Sequence, residues 1–194
     1  ISLLTELARR TPPEEAGAHL GQITDMAREL TRGMDEIVWA VDPKNDTLDG
    51  LLDYLCKFAQ EYLSVAGIRC RLDLPPQTPP RALRPEVRHN LFLAFKEALN
   101  NIVKHAGASE VSLQLLLAEN EFTLTLKDNG RGLPAEKNPA EGKRSGRISA
   151  GRGLDNLDKR LAAVGGRCVV TSQPEKGTQI QFIINLAAGH HPKW

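Results

Sequence analysis

The stretch Phe122-Thr123-Leu124-Thr125-Leu126-Lys127-Asp128 constrains the fold of this chain more than any other. Apolar and polar side chains alternate, the period of a strand with one buried face. Phe122, Leu124, Leu126 and Asp128 therefore share a side. A carboxylate reaches the core face at the end of a strand, where it is costly unless donors meet it. Asn129-Gly130-Arg131-Gly132 follows at once, so the strand runs into a glycine turn. Such a strand needs a sheet covered on one side and a polar partner at the sheet's end.

The remaining pattern supplies the layers. A helix with Leu48, Leu51, Leu52, Leu55, Phe58, Ala59 and Tyr62 on its apolar side ends near Gly67, and Ile68–Leu74 reads as a strand. Pro75-Pro76-Gln77-Thr78-Pro79-Pro80 is a stiff connector. A long helix runs from Pro85 to about His105, with Val87, Leu91, Ala94, Phe95, Ala98, Leu99 and Ile102 apolar. Strands over Glu110–Leu117 and Glu121–Asp128 form a hairpin pattern around Asn120. After a glycine-rich stretch to Gly153, a helix from Leu154 to about Val164 precedes strands Arg167–Ser172 and Thr178–Leu186. With few parallel crossovers in that order, the expected fold is α+β: a two-layer sandwich with helices on one face of a mixed sheet.

The N-terminal region follows a different rule. Ala16, Leu20, Ile23, Ala27, Leu30, Met34, Ile37 and Val41 alternate steps of 4 and 3, the seam of a coiled coil or bundle. Thr11-Pro12-Pro13 breaks a preceding helix, of which residues 1–10 read as the last turns. Ile1 opens directly into that helix, which suggests a fragment of a longer protein. Residues 1–42 are thus expected to be part of a helical hairpin that closes its core by pairing with a second copy into a four-helix bundle. An amphipathic helix lying on its own domain is the alternative. The expected domains are 1–42, 46–187 and a loose tail, 188–194.

Composition excludes several classes. Lys+Arg 25 against Asp+Glu 24 gives a net charge of +1, with no bulk attraction to nucleic acid or anionic lipid. No apolar run is long enough to span a membrane. Cys56, Cys70 and Cys168 are odd in number and far apart, fitting neither a disulfide framework nor a zinc site; reduced thiols of a cytoplasmic protein are the plain reading. Walker A, protein-kinase HRD and DFG, GxSxG and HExxH patterns are all absent.

Four features carry chemistry. Glu97, Asn101, Lys104 and His105 fall on one helical face, an arrangement suited to phosphate and Mg²⁺, or else to a solvated surface. Asp128 suits the amino edge of an adenine, or simply an aspartate entering the Asn129-Gly130 turn. Gly130 with Gly132, and Gly151-Arg152-Gly153-Leu154 just before a helix, let backbone N–H groups approach a phosphate. Between the pairs, residues 134–152 hold five basic side chains against two acidic ones, which reads as a lid over an anion or as a surface loop. Thr178, alternating with Ile180, Phe182 and Ile184, points inward and can join Asp128 at an adenine edge.

In this order the residues resemble the ATP-binding fold shared by sensor histidine kinases, DNA gyrase, MutL proteins and heat-shock ATPase chaperones, over roughly residues 46–187. Phe95-Lys96-Glu97-Ala98-Leu99-Asn100-Asn101-Ile102-Val103-Lys104-His105 is similar to the N box of nitrate-sensor-like and membrane-fluidity-sensor-like histidine kinases. Asp128-Asn129-Gly130-Arg131-Gly132-Leu133 resembles the first glycine box. Gly151-Arg152-Gly153-Leu154 with Asn156, Leu157 and Arg160 resembles the second, and Gly177-Thr178 the last.

The resemblance implies ATP and Mg²⁺ as cofactors, with Asn101 on the metal and Asp128 on the adenine. Glu97 would orient or deprotonate the attacking group, and Lys104 and His105 would lie near phosphates or ribose. Gly130, Gly132, Gly151, Arg152, Gly153, Leu154 and Thr178 would complete the nucleotide site. It further implies a homodimer through helices 1–42, a response-regulator receiver domain as partner, no nucleic acid, and a membrane anchor only through segments upstream of this cytoplasmic part. The accepting histidine of such kinases is followed by an acidic residue, whereas His19, His89, His105, His190 and His191 are not; it is expected upstream of Ile1. No Phe lies between Phe122 and Phe182, so a separate phenylalanine box is missing. An ATP-hydrolysing clamp of the gyrase or MutL type, and a dimeric interaction module independent of nucleotide, remain the alternatives.

Overall fold

The computed structural model describes residues 17, 19–24, 26, 27, 46–79, 81–133 and 151–186. The chain divides into two compact units, 1–45 and 46–194. In the first, the described residues are helical and Leu20 of the expected seam is 56% exposed. The rest of the expected hairpin lies outside the described residues, as do the lid stretch 134–150 and the tail.

The described residues of the second unit form a five-stranded mixed sheet under three helices. Helix α1, Leu48–Val65, begins where the Thr47 hydroxyl accepts the Gly50 N–H at 3.4 Å. It buries Leu48, Leu51, Leu52, Leu55, Cys56, Ala59 and Leu63 along one stripe. Strand β1, Arg69–Asp73, follows. Helix α2, Pro85–Asn101, starts on a proline, whose missing N–H costs nothing in the first turn. It sits between α1 and α3 and so buries more than one stripe. Phe92 joins the expected apolar residues, 5.2 Å from both Tyr54 and Phe58 of α1. Arg88 is also fully buried, paired with Asp46 at the head of the unit.

Strands β2, Glu110–Leu117, and β3, Glu121–Asp128, form the expected hairpin. Helix α3 is Gly151–Ala162, and the last hairpin joins β4, Gly166–Ser172, to β5, Thr178–Asn185. The sheet order is β1-β2-β3-β5-β4. Among the described strands only β1 and β2 pair parallel, through the crossover helix α2; every other pair is antiparallel. Val111, Leu113 and Leu115, Phe122, Leu124 and Leu126, and Ile180, Phe182 and Ile184 form the buried face. Phe95 of α2 meets Phe182 edge-on at 6.3 Å, tying helix layer to sheet. The α+β two-layer expectation holds. Among the described residues no helix is long and apolar enough to cross a membrane.

Candidate functional site

The register Val111↔Asp128 and Ser172↔Thr178 sets Asp128, Thr178 and Ser172 in one row at the end of the covered face. Asp128 is 2% exposed. Its Oδ1 accepts the Gly130 N–H at 2.8 Å and its Oδ2 the Thr178 N–H at 3.2 Å. Burial pushes its carboxyl above the usual range, and these backbone bonds draw it part of the way back. Two N–H groups leave each oxygen a further lone pair, so the carboxylate is fixed in place and still able to accept.

The glycines around it serve close approach. A Cβ on Gly130 would stand 2.4 Å from the Ala106 carbonyl oxygen, and one on Gly177 2.0 Å from that of Asp128, where φ is also +84°. Gly132 lies against the Gln173 carbonyl in the β4–β5 turn. The Arg131 N–H donates to Ala106 O at 2.9 Å, and Glu175 N–H to Arg131 O at 2.8 Å. Three chain segments thus meet backbone to backbone around one buried carboxylate.

Ala106 reaches that junction through a feature the spacing does not predict. The helix expected to run to His105 ends its α-geometry at Asn101, and Ile102–Ala106 is a π turn. Glu97 and Asn101, one α-turn apart, are half-buried; Lys104 and His105, in the wider turn, are exposed. The 3.6-residue face drawn through all four therefore holds for Glu97 and Asn101 and breaks at Ile102.

The second glycine pair also differs from expectation. Helix α3 begins at Gly151, so Gly151, Arg152, Gly153 and Leu154 form its first turn instead of preceding it. The orphan N–H groups of that turn bear the positive end of the helix dipole. Among the described residues no group of three or more His, Cys, Asp or Glu side chains forms a metal cluster. The oxygens of Asn101 and Glu97 are hard donors of the kind Mg²⁺ takes, and Mg²⁺ needs only one or two from protein when phosphates complete its shell.

Two further side chains hold the site together, in roles the sequence motifs do not assign. Asn129 fastens the turn, its Oδ1 accepting the N–H groups of Ser109 and Glu110, each at 3.0 Å. The Ser172 hydroxyl accepts the Leu133 N–H at 2.8 Å and lies 3.1 Å from both Gly177 O and Thr178 Oγ1. The alternation Cys168, Val170, Ser172 was the available signal.

A family model described as histidine kinase-, DNA gyrase B-, and HSP90-like ATPase matches residues 86–188, just over half of the chain. The sensor histidine kinase LnrJ of Bacillus subtilis is 26% identical over 100% of this chain and 44% of its own length. The nitrate/nitrite sensor protein NarX of Escherichia coli K12 is 31% identical over 69% of this chain and 21% of its own. The chain thus spans less than half the length of these relatives. Among solved structures, the histidine kinase domain of the blue-light activated histidine kinase from Erythrobacter litoralis EL346 superposes with a TM-score of 0.57 at 18% identity, over 95% of this chain and 91% of that one.

Proposed function

Because the chain belongs to the family of histidine kinase-, DNA gyrase B-, and HSP90-like ATPases and carries a histidine-kinase ATP-binding domain, we propose that residues 46–187 bind Mg·ATP and present its γ-phosphoryl to a histidine. The observation that carries this reading is Asp128: a buried carboxylate, held by two backbone N–H groups where three glycines bring three segments together. Its remaining lone pairs match the amino group of an adenine, and Thr178 lies beside it in the row.

The nucleotide's phosphates would extend toward the first turn of α3 and the half-buried pair Glu97 and Asn101. Asn101 would hold Mg²⁺ through its amide oxygen. The ion, when bound, supplies charge neutralisation on the phosphates. Glu97, one turn back, is positioned as the carboxylate that orients or deprotonates the attacking nucleophile. Lys104 and His105, exposed on the π turn, offer positive charge and donors to the phosphate or ribose side. Catalysis by these groups is mainly positioning and charge stabilisation.

None of the chain's five histidines is followed by an acidic residue, so the phosphoacceptor is proposed to lie outside these 194 residues, on a dimerisation helix. The heptad seam over 16–41, with Leu20 open to solvent in the single chain, supports a homodimer. Onward transfer to an Asp of a receiver domain, and a cytoplasmic setting, follow from the kinase reading.

The test is calorimetric titration of Mg·ATP into the chain beside Asp128→Asn. Binding that the substitution abolishes supports the reading; a folded wild-type chain that takes no nucleotide overturns it. Steady ATP turnover without a histidine acceptor would instead favour Glu97 acting on water.

A further inference from the structure

The hydroxyls of Ser172 and Thr178 have a proton count that bears on the base. The Leu133 N–H only donates, so its 2.8 Å contact takes up one lone pair of Ser172 Oγ and leaves that hydroxyl a single proton to place. Two acceptors stand equally far from it, Gly177 O and Thr178 Oγ1, each at 3.1 Å. Gly177 O also receives the Gln173 N–H at 3.3 Å, so it keeps a partner when the serine proton turns away. With that proton on Thr178, the threonine hydroxyl is free to donate in its turn. With it on Gly177 O, Thr178 donates back to Ser172 and offers only lone pairs.

We infer that Ser172 is a positioning residue for purine recognition: it takes the Leu133 N–H, donates to Thr178, and so sets the Thr178 hydroxyl as a donor toward the unprotonated ring nitrogen N1 of the base, directly or through one water. This rests on the adenine reading of Asp128 given above and deepens it. Asp128 accepts, the hydroxyl pair donates, and an adenine edge carries the complement, an amino donor beside a ring acceptor. Hydrogen bonds in such a chain polarise one another, which strengthens the terminal donor.

The experiment compares ATP with 1-deaza-ATP, which keeps the amino group and replaces N1 by C–H, in calorimetric titrations with Mg²⁺. Wild-type protein is expected to prefer ATP by about tenfold, the worth of one buried hydrogen bond. Ser172→Ala is expected to shrink that preference to about threefold or less, and Ser172→Thr, which keeps the hydroxyl, to restore it. A serine that serves only to hold the turn would weaken both nucleotides alike, so an unchanged preference in a folded Ser172→Ala protein overturns the inference. Should that variant not fold, Thr178→Val decides: loss of the preference supports the relay, and its retention overturns it. Wild-type protein that binds both nucleotides equally overturns the relay and leaves the ATP site standing. Wild-type protein that binds neither overturns both.

Discussion

Gly177 rests its α-carbon on the peptide carbonyl of Asp128, so closely that a Cβ there would lie 2.0 Å from the oxygen. The turn between β4 and β5 is thereby pressed onto the end of β3, and the Thr178 N–H that follows is brought to Oδ2.

Gly177→Ala therefore combines two penalties, a side chain at φ +84° and a collision with backbone that cannot swing aside. The expected loss is about 2 kcal/mol or more of unfolding free energy, together with nucleotide binding. Gly67→Ala is the matched control: φ is +70° there and nothing lies within 4 Å of a Cβ, so only the conformational cost of about 1 kcal/mol remains. Urea unfolding of both variants separates strain from collision; equal losses would remove the close-approach argument.

Asp128 sets a pH dependence whose sign follows from burial. Its folded pKa is raised above the ordinary carboxylate value, so the folded state binds the proton more tightly than the unfolded chain. The stabilising contribution is complete below about pH 4, the unfolded value, and is lost as pH rises through the folded pKa. Wild-type stability relative to Asp128→Asn should accordingly decline from pH 4 upward, measured by chemical denaturation at a series of pH values. Nucleotide affinity should run the other way, since an amino donor favours the ionised carboxylate. A flat stability difference would show that the carboxyl is not perturbed.

The thiols follow the same logic at the alkaline end. Burial pushes Cys56 up to about 11 and Cys168 up to about 12. Both stay protonated in the folded protein at pH 8, where thiolate is the reactive form. Iodoacetamide at that pH should modify them at least tenfold more slowly than in the urea-unfolded chain, as read by intact mass. Stability should also fall above about pH 9, as the unfolded state releases thiol protons that the folded state retains. Rapid native labelling of Cys168, which is half-buried, would contradict its raised pKa.

The sheet was readable in the sequence because one face carries its core. Val111, Leu113 and Leu115 alternate with polar neighbours, as do Phe122, Leu124 and Leu126, and the two strands come out at Glu110–Leu117 and Glu121–Asp128. Asp128 was legible for the same reason, being the one buried charge in the described strands. The π turn was not. Ile102-Val103-Lys104-His105 contains no breaker, and the departure from α-geometry accompanies a tertiary bond, Arg131 N–H to Ala106 O, that no local pattern encodes. Helix α3 starts three residues before the sequence pattern places it, because glycines suggest a loop although a first turn tolerates them. Ser172 has no signature of its own, since a serine before a turn needs no explanation; only its pairing with Thr178, set by the loop between β4 and β5, shows that two hydroxyls adjoin.

Asn101 offers the sharpest separation of metal from base. It is the last α-helical residue of α2 before the π turn, half-buried, and four residues beyond Glu97. If its amide oxygen is the protein ligand to Mg²⁺, Asn101→Ala should leave ATP affinity in EDTA within about twofold of wild type, because the Asp128 row is untouched. The gain in affinity on adding Mg²⁺ should then fall by about tenfold or more, in line with the loss of one charge-assisted contact. Asp128→Asn should do the reverse, weakening ATP with and without the ion. Paired titrations of the two variants in EDTA and in Mg²⁺ therefore assign each residue to its end of the nucleotide, and an Asn101→Ala protein that keeps the full Mg²⁺ gain would place the metal elsewhere.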